Sequence, residues 1–136
     1  MISGKNMRQK GLNKNEIEQG DIVLIDFLYS DLKRSKLRPA LVMSNSVYNS
    51  TSLDIVALRI TSKPKRKWAV KITNKDVGGG FLEVESYVKV DSIFTIENNM
   101  IAKVVGKLNE MKINEVKLKL DELFDVRCRG CLGMIG

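Results

Sequence analysis

The stretch MIAKVVGKLNEMKINEVKLKLDELFDV, residues 100–126, changes its period halfway along. Residues 100–107 read as a strand. After Asn109 the apolar residues fall at Ile113, Val116, Leu120, Leu123 and Phe124, which is helical spacing with one apolar face. Asn109 is placed as an N-cap, and Leu108 and Ile113 flank it as a hydrophobic staple. The spacing predicts a helix running to about Val126.

Upstream of this point every ordered segment reads as a strand. Residues 92–97 and 85–90 predict two short strands, preceded by a glycine loop over 74–80 and a strand over 68–73. A basic turn surrounds Pro64 over residues 63–67, after a strand over 53–60. Residues 45–52 are rich in Asn and Ser and predict a loop. Residues 39–44 predict a strand whose first position is Pro39, where a missing N–H is tolerated. Residues 30–36 predict a charged loop, and DIVLIDFLY, residues 21–29, the first strand of the fold. Several short strands followed by one helix, with no βαβ alternation, argue against a parallel sheet. The fold class is mainly β: a small, strongly bent antiparallel barrel with a C-terminal amphipathic helix. The expected division is a flexible basic leader over residues 1–15, one domain over 16–127 and a tail over 128–136, with firm order from near Gly20.

With 136 residues and 43% apolar content, the chain is long enough for one domain with one real core. No apolar run approaches the roughly 20 residues of a membrane helix, so no membrane partner is expected. The polar N-terminus carries no apolar signal segment, and a cytoplasmic location is the default expectation. The net charge is +7, which favours an anionic partner, nucleic acid first among them. The chain has no histidine, which excludes a histidine base, a histidine-based triad and a histidine metal ligand. Its two cysteines, Cys128 and Cys131, form one C-x-x-C. A tetrahedral zinc site takes four ligands, so the pair reads as two reduced thiols on the tail; a four-cysteine site shared across a dimer is the alternative. No cofactor and no metal site are expected.

Three constellations bear on chemistry. In Leu37-Arg38-Pro39-Ala40, proline fixes φ and holds Arg38 at the rim of a strand. A guanidinium held there grips a phosphate through two parallel hydrogen bonds; an ordinary strand-edge arginine is the plainer reading. In Arg59-Ile60-Thr61-Ser62, two adjacent hydroxyls at a strand end either donate to phosphate oxygens or cap a turn. The third constellation is charge. Lys33, Arg34, Lys36 and Arg38 lie in one segment, and Arg59, Lys63, Lys65, Arg66, Lys67 and Lys71 in another that has no acid. Trp68 and Tyr48, in or near these segments, are candidate stacking platforms for bases. Two such runs are either solvated faces or, if they converge on one rim, a groove. The glycines at 78, 79 and 80 are not followed by the Gly-Lys-Ser/Thr of a phosphate loop and predict a flexible turn.

Gly20-Asp21-Ile22-Val23, followed by Arg38-Pro39-Ala40-Leu41-Val42-Met43-Ser44-Asn45, resembles the start of the MazF/PemK toxins of type II toxin–antitoxin systems. Ile60-Thr61-Ser62 stands where that family has its strand-end threonine. Ser86-Tyr87-Val88-Lys89-Val90-Asp91-Ser92-Ile93 is similar to its later strand pair, and residues 104–108, with Gly106, to its C-terminal pattern. The resemblance implies a homodimeric SH3-like barrel and a sequence-specific, metal-independent endoribonuclease. Such an enzyme cuts single-stranded RNA through a 2′,3′-cyclic phosphate, and a cognate antitoxin blocks it by filling the RNA groove. Arg38 and Thr61 then take the catalytic roles, and Ser62, Lys63, Lys65, Arg66, Lys67, Trp68, Lys36 and Arg59 are candidate RNA-binding residues.

The chain departs from the family pattern in three places. Lys33 and Arg34 stand where some members carry a glutamate, Ser92 where some carry a glutamine, and the histidine of some members has no counterpart. Asp31, Asp91 and Ser92 are therefore the candidates for acid–base or orienting work, and the choice among them stays open. Two readings from other classes accompany this one: a non-catalytic toxin on the same barrel, of the gyrase-inhibitor type, and a structural nucleic-acid-binding barrel.

Overall fold

The computed structural model describes residues 8–9, 16–28, 35–63, 67–79, 82 and 84–126. Its strands are β1 (Arg8–Gln9), β2 (Asp21–Leu28), β3 (Ser35–Val42), β4 (Asp54–Thr61), β5 (Ala69–Ile72), β6 (Val77–Gly78), β7 (Ser86–Glu97) and β8 (Ile101–Leu108). The helices are α1 (Ser46–Thr51) and α2 (Glu110–Leu123). All pairings are antiparallel, in the order β1-β8-β2-β3-β4-β7-β5, and β6 pairs β8. Because β6 follows β5 and reaches β8, the two ends of the sheet approach each other and the barrel is nearly closed. This is the mainly β barrel with a C-terminal helix that the sequence predicts.

The strands bury both faces, so alternation sorts residues between two cores. Ile22, Leu41, Leu58, Ile60, Val88 and Val90 fill the core under α2, together with Ile113 and Val116 of that helix. Val23, Ile25, Ala40, Val42, Ile55 and Ala57 fill the second core, with Ile17 and Ile101. At roughly 25 cal/mol per Å² of apolar surface removed from water, these side chains are the main stabilising contribution. Two glycines are steric requirements. Gly20 has φ +95, and a Cβ there would lie 2.5 Å from Ile113 Cδ1; at Gly106 it would lie 2.6 Å from Val77 Cγ1.

α2 begins as predicted: the Asn109 side chain accepts from the Lys112 N–H at 2.8 Å, and Leu108 and Ile113 share one core. The helix stops at Leu123, short of Val126, and Phe124 is its C-cap, 66% exposed. The apolar stripe therefore ends with Leu120, which packs partly buried on the core.

Five other expectations are corrected. The segment over 45–52 is not a loop throughout, because Asn45 caps α1 by accepting from the Tyr48 N–H at 2.9 Å. Pro39 is not the first residue of its strand. β3 begins at Ser35, but β4 pairs it only from Ala40 onward, so the missing N–H falls where β4 has left. The two strands over 85–90 and 92–97 are one strand. Consecutive Leu58 and Arg59 pair with Ile93 and Lys89, so Val90, Asp91 and Ser92 form a bulge, and the Val90 N–H turns to the Trp68 carbonyl at 2.9 Å. The glycine loop contains a 3-10 turn at Asn74–Asp76 and then β6. Order begins ahead of Gly20: Ile17 is 2% exposed in the core, and Arg8–Gln9 pair with β8. The remainder of the leader and the tail with Cys128 and Cys131 lie outside the described residues.

Candidate functional site

β3 and β4 are zipped over Val42↔Ala57, Leu41↔Leu58 and Ala40↔Arg59, and the ladder ends there. Extending the same register by two residues sets Arg38 across from Thr61. β2 continues to hold β3 as far as Ser35, so β4 is the strand that diverges. The gap is an open cleft of about 500 Å³. Among the described residues its lining includes Lys36, Arg38, Arg59, Thr61, Ser62 and Lys63, with Pro39, Ile60, Val84 and Ser86. Six residues singled out in two separate stretches of sequence thus meet at one place.

Local structure sets what each can do. Arg38 is half-buried beside Pro39, whose ring limits the backbone freedom of the pair. Thr61 Oγ1 accepts from the Lys63 N–H at 3.1 Å. A hydroxyl has one hydrogen and two lone pairs, so this turn contact fixes the oxygen and leaves its hydrogen able to donate into the cleft. Both readings of Thr61, turn residue and donor, are thereby compatible. Ser62, Lys63, Lys36 and Arg59 are exposed. The Ser86 hydroxyl is occupied, donating to the Val84 carbonyl at 3.2 Å.

Among the described residues no acid lines the cleft. Away from the cleft, the described residues form ion pairs at Lys71–Glu85 (3.4 Å), Lys107–Glu18 (2.6 Å), Lys112–Glu115 (3.1 Å) and Lys119–Glu122 (3.6 Å). A concave surface lined by one sign of charge concentrates counter-ions and anionic ligands. Among the described residues no three Asp, Glu or Cys side chains gather as a metal site, and no helix is long and apolar enough to cross a membrane.

The structure leaves other candidates apart. Asp91 and Ser92 sit in the β7 bulge, whereas Thr61 faces Tyr87. Four residues of strand, roughly 13 Å, separate Tyr87 from Asp91. Trp68 does not reach the cleft: it lies on the α2 side, with Lys119 Nζ 5.7 Å from its ring centroid. Lys67 is exposed just before it. Tyr48 is on α1, beyond the opposite end of β3 from Arg38. Asp31, Lys65 and Arg66 lie outside the described residues. Val84 and Ser86 were not legible as lining residues, because they approach the cleft only through the pairing of β7 with β4.

Among solved structures, a MazE–MazF assembly from Deinococcus radiodurans is similar at 23% identity, covering 87% of this chain and 97% of that one, with a TM-score of 0.65. A mycobacterial endoribonuclease in complex with its cognate antitoxin is similar at 23% identity, covering 79% and 92%, with a TM-score of 0.62. The toxin MazF-mt6 of Mycobacterium tuberculosis is similar at 18% identity, covering 76% and 96%, with a TM-score of 0.60. These likenesses establish the fold. No curated protein matches the chain in sequence. Residues 18–124, which contain the barrel, the cleft and α2, match the family described as PemK-like, MazF-like toxin of type II toxin–antitoxin systems. With most of its length inside that match, the chain belongs to the PemK-like, MazF-like toxin family.

Proposed function

We propose that the protein is the toxin of a type II toxin–antitoxin pair and acts as a metal-independent, sequence-specific endoribonuclease on single-stranded RNA. The observation that carries this reading is the meeting of Arg38 and Thr61 in one cleft whose charged residues, among those described, are all cationic. The likeness to mycobacterial endoribonucleases supports it.

RNA supplies its own nucleophile. The 2′-oxygen attacks the adjacent phosphorus, the bond to the 5′-oxygen breaks, and the products are a 2′,3′-cyclic phosphate and a 5′-hydroxyl. The protein has to align these atoms and stabilise the charge that develops on the phosphorane. Arg38 binds the non-bridging oxygens and passes a proton to the leaving 5′-oxygen. Thr61 donates to a second oxygen. Lys36, Arg59 and Lys63 hold flanking phosphates, which adds affinity without sequence information. Asp31 is the remaining candidate for the group that takes the 2′ proton, since Asp91 and Ser92 lie along β7 away from Thr61.

The proposed assembly is a cytoplasmic homodimer, blocked when an acidic or extended segment of its cognate antitoxin fills the cleft. Incubation of purified protein with a long RNA in EDTA tests the activity. Cuts at a defined sequence, leaving 5′-hydroxyl ends, are the expected result. Tight binding without cuts would instead support a non-catalytic barrel. Light scattering that gives the 15.3 kDa monomer at micromolar concentration would contradict the dimer.

A further inference from the structure

The sheet extends the cleft in a direction that the sequence motifs do not mark. β7 lies beside β4 with Arg59 opposite Lys89 and Thr61 opposite Tyr87. On its other edge β7 pairs Lys89 with Ala69 and Tyr87 with Lys71. Residues directly opposed in an antiparallel pair share a face of the sheet. The alternate residues of the same strands, Ile60, Val88 and Val70, are buried under α2 at 5%, 0% and 3% exposure. Thr61, Tyr87, Arg59 and Lys89 therefore project from the opposite face.

Two features of this array point to a ligand. Arg59 and Lys89 are like charges directly opposed, an arrangement that destabilises a sheet and that an anion laid between them would relieve. Ala69, completing the row, offers only a methyl. Tyr87 is the second feature: it is half-buried, and it pairs with Thr61 across neighbouring strands, whose backbones are about 4.8 Å apart. Among the described residues neither Tyr87 nor Lys89 has a side-chain hydrogen bond or ion pair. The nearby alternative platform, Trp68, is committed to Lys119 on the α2 face. Beyond Tyr87 the cationic surface ends, because Lys71 is already engaged by Glu85 at 3.4 Å.

We infer that Tyr87 and Lys89 form a binding subsite for one nucleotide flanking the cut, Tyr87 stacking on its base and Lys89 with Arg59 holding its phosphate. This rests on the endoribonuclease reading and extends it: the RNA strand crosses the sheet from β3 over β4 to β7. The base contact is to a π-face, so the subsite tolerates any base, and sequence discrimination lies elsewhere in the cleft.

The test measures binding of a random-sequence 12-nucleotide single-stranded RNA by anisotropy, on full-length Arg38→Ala protein to suppress cleavage. Tyr87→Val is expected to weaken binding between about 5-fold and about 150-fold, the range of one base–aromatic stack, with its salt slope unchanged. Tyr87→Phe should stay within about twofold, because the ring and not the hydroxyl makes the contact. Lys89→Met should reduce the slope of log K against log salt by about 0.7, one phosphate contact on a single strand. Unchanged affinity in Tyr87→Val, equal losses in Tyr87→Phe and Tyr87→Val, or an unchanged slope in Lys89→Met overturns the subsite. If Tyr87→Val does not fold, Tyr87→Trp decides: wild-type or tighter binding supports stacking, and weaker binding overturns it. Failure of the underlying reading is distinguishable, because the parent protein would then neither bind this RNA nor, with Arg38 restored, cut a long one.

Discussion

Replacing Thr61 with valine removes one oxygen and almost no volume, and the proposed mechanism gives that oxygen a second job beside the one seen in the structure. It accepts from the Lys63 N–H at 3.1 Å in the turn after β4. A net intramolecular hydrogen bond is worth about 0.5–1.5 kcal/mol. The half-buried acceptor and exposed donor place this one in the lower half of that range. The expected loss is about 0.5–1 kcal/mol, or about 2–4 °C in melting temperature for a domain of this size. The second job is donation to a phosphate oxygen as charge builds on the phosphorane. Loss of one preorganised donor costs about 10²–10³ in rate. Because this donor is neutral and the cleft is open, the lower end applies, about 10². Thermal melting and single-turnover cleavage of a defined RNA read the two jobs separately, and Thr61→Ser should retain both. If Thr61→Val melts a few degrees lower and still cleaves at the wild-type rate, Thr61 is a turn residue and its catalytic role is refuted.

Arg38→Ala should keep its circular dichroism spectrum and lose about 10²–10³ in cleavage rate. Arg38→Lys should recover little of that rate, because an ammonium cannot make the two-pronged contact; near wild-type turnover in the alanine variant would remove Arg38 from the mechanism. Gly20→Ala combines a left-handed backbone at φ +95 with a Cβ 2.5 Å from Ile113 Cδ1, a cost of about 2–4 kcal/mol in denaturant unfolding. Ile113→Val, which deletes the clashing carbon, should restore part of that stability when added to it. Asn49 is 0% exposed and donates to the Ile17 and Ser44 carbonyls at 3.0 and 2.9 Å, so Asn49→Ala should cost about 2–4 kcal/mol. A change below about 0.5 kcal/mol would mean that water replaces the amide.

What was legible in the sequence was local. The N-cap of α2 needs only Asn109 and the residues three and four positions on, and the strand character of β2 is carried by its own side chains. α1 was missed because Asn and Ser serve turns and N-caps alike, and six residues are too few to display a helical period. The division of β7 into two strands fell at Asp91, a polar residue beside Ser92. Both are absorbed by a bulge, which only the pairing with β4 can reveal. The site divides in the same way. Arg38 and Thr61 were marked by their neighbours in the chain, Pro39 and Ser62. That they line one cleft is a property of how β3 and β4 pair and then part, and the turning of Trp68 toward α2 is a property of where that helix packs.

The order in which the barrel is assembled follows from one pairing. β2 lies between β3 and β8, and its Asp21 meets Lys107, so this early strand must wait for the last. Lys36, Arg38, Arg59, Thr61 and Lys63 all precede β8 in the chain. During synthesis they emerge while one edge of β2 is still unpaired and Ile113 and Val116 have not covered the core. Contacts between such distant segments slow folding, and chains are made from the N-terminal end at about 5–20 residues per second. A ribosome making this protein therefore exposes its cationic side chains before the framework that aligns them exists, so the nascent chain carries the charge of the toxin ahead of its chemistry.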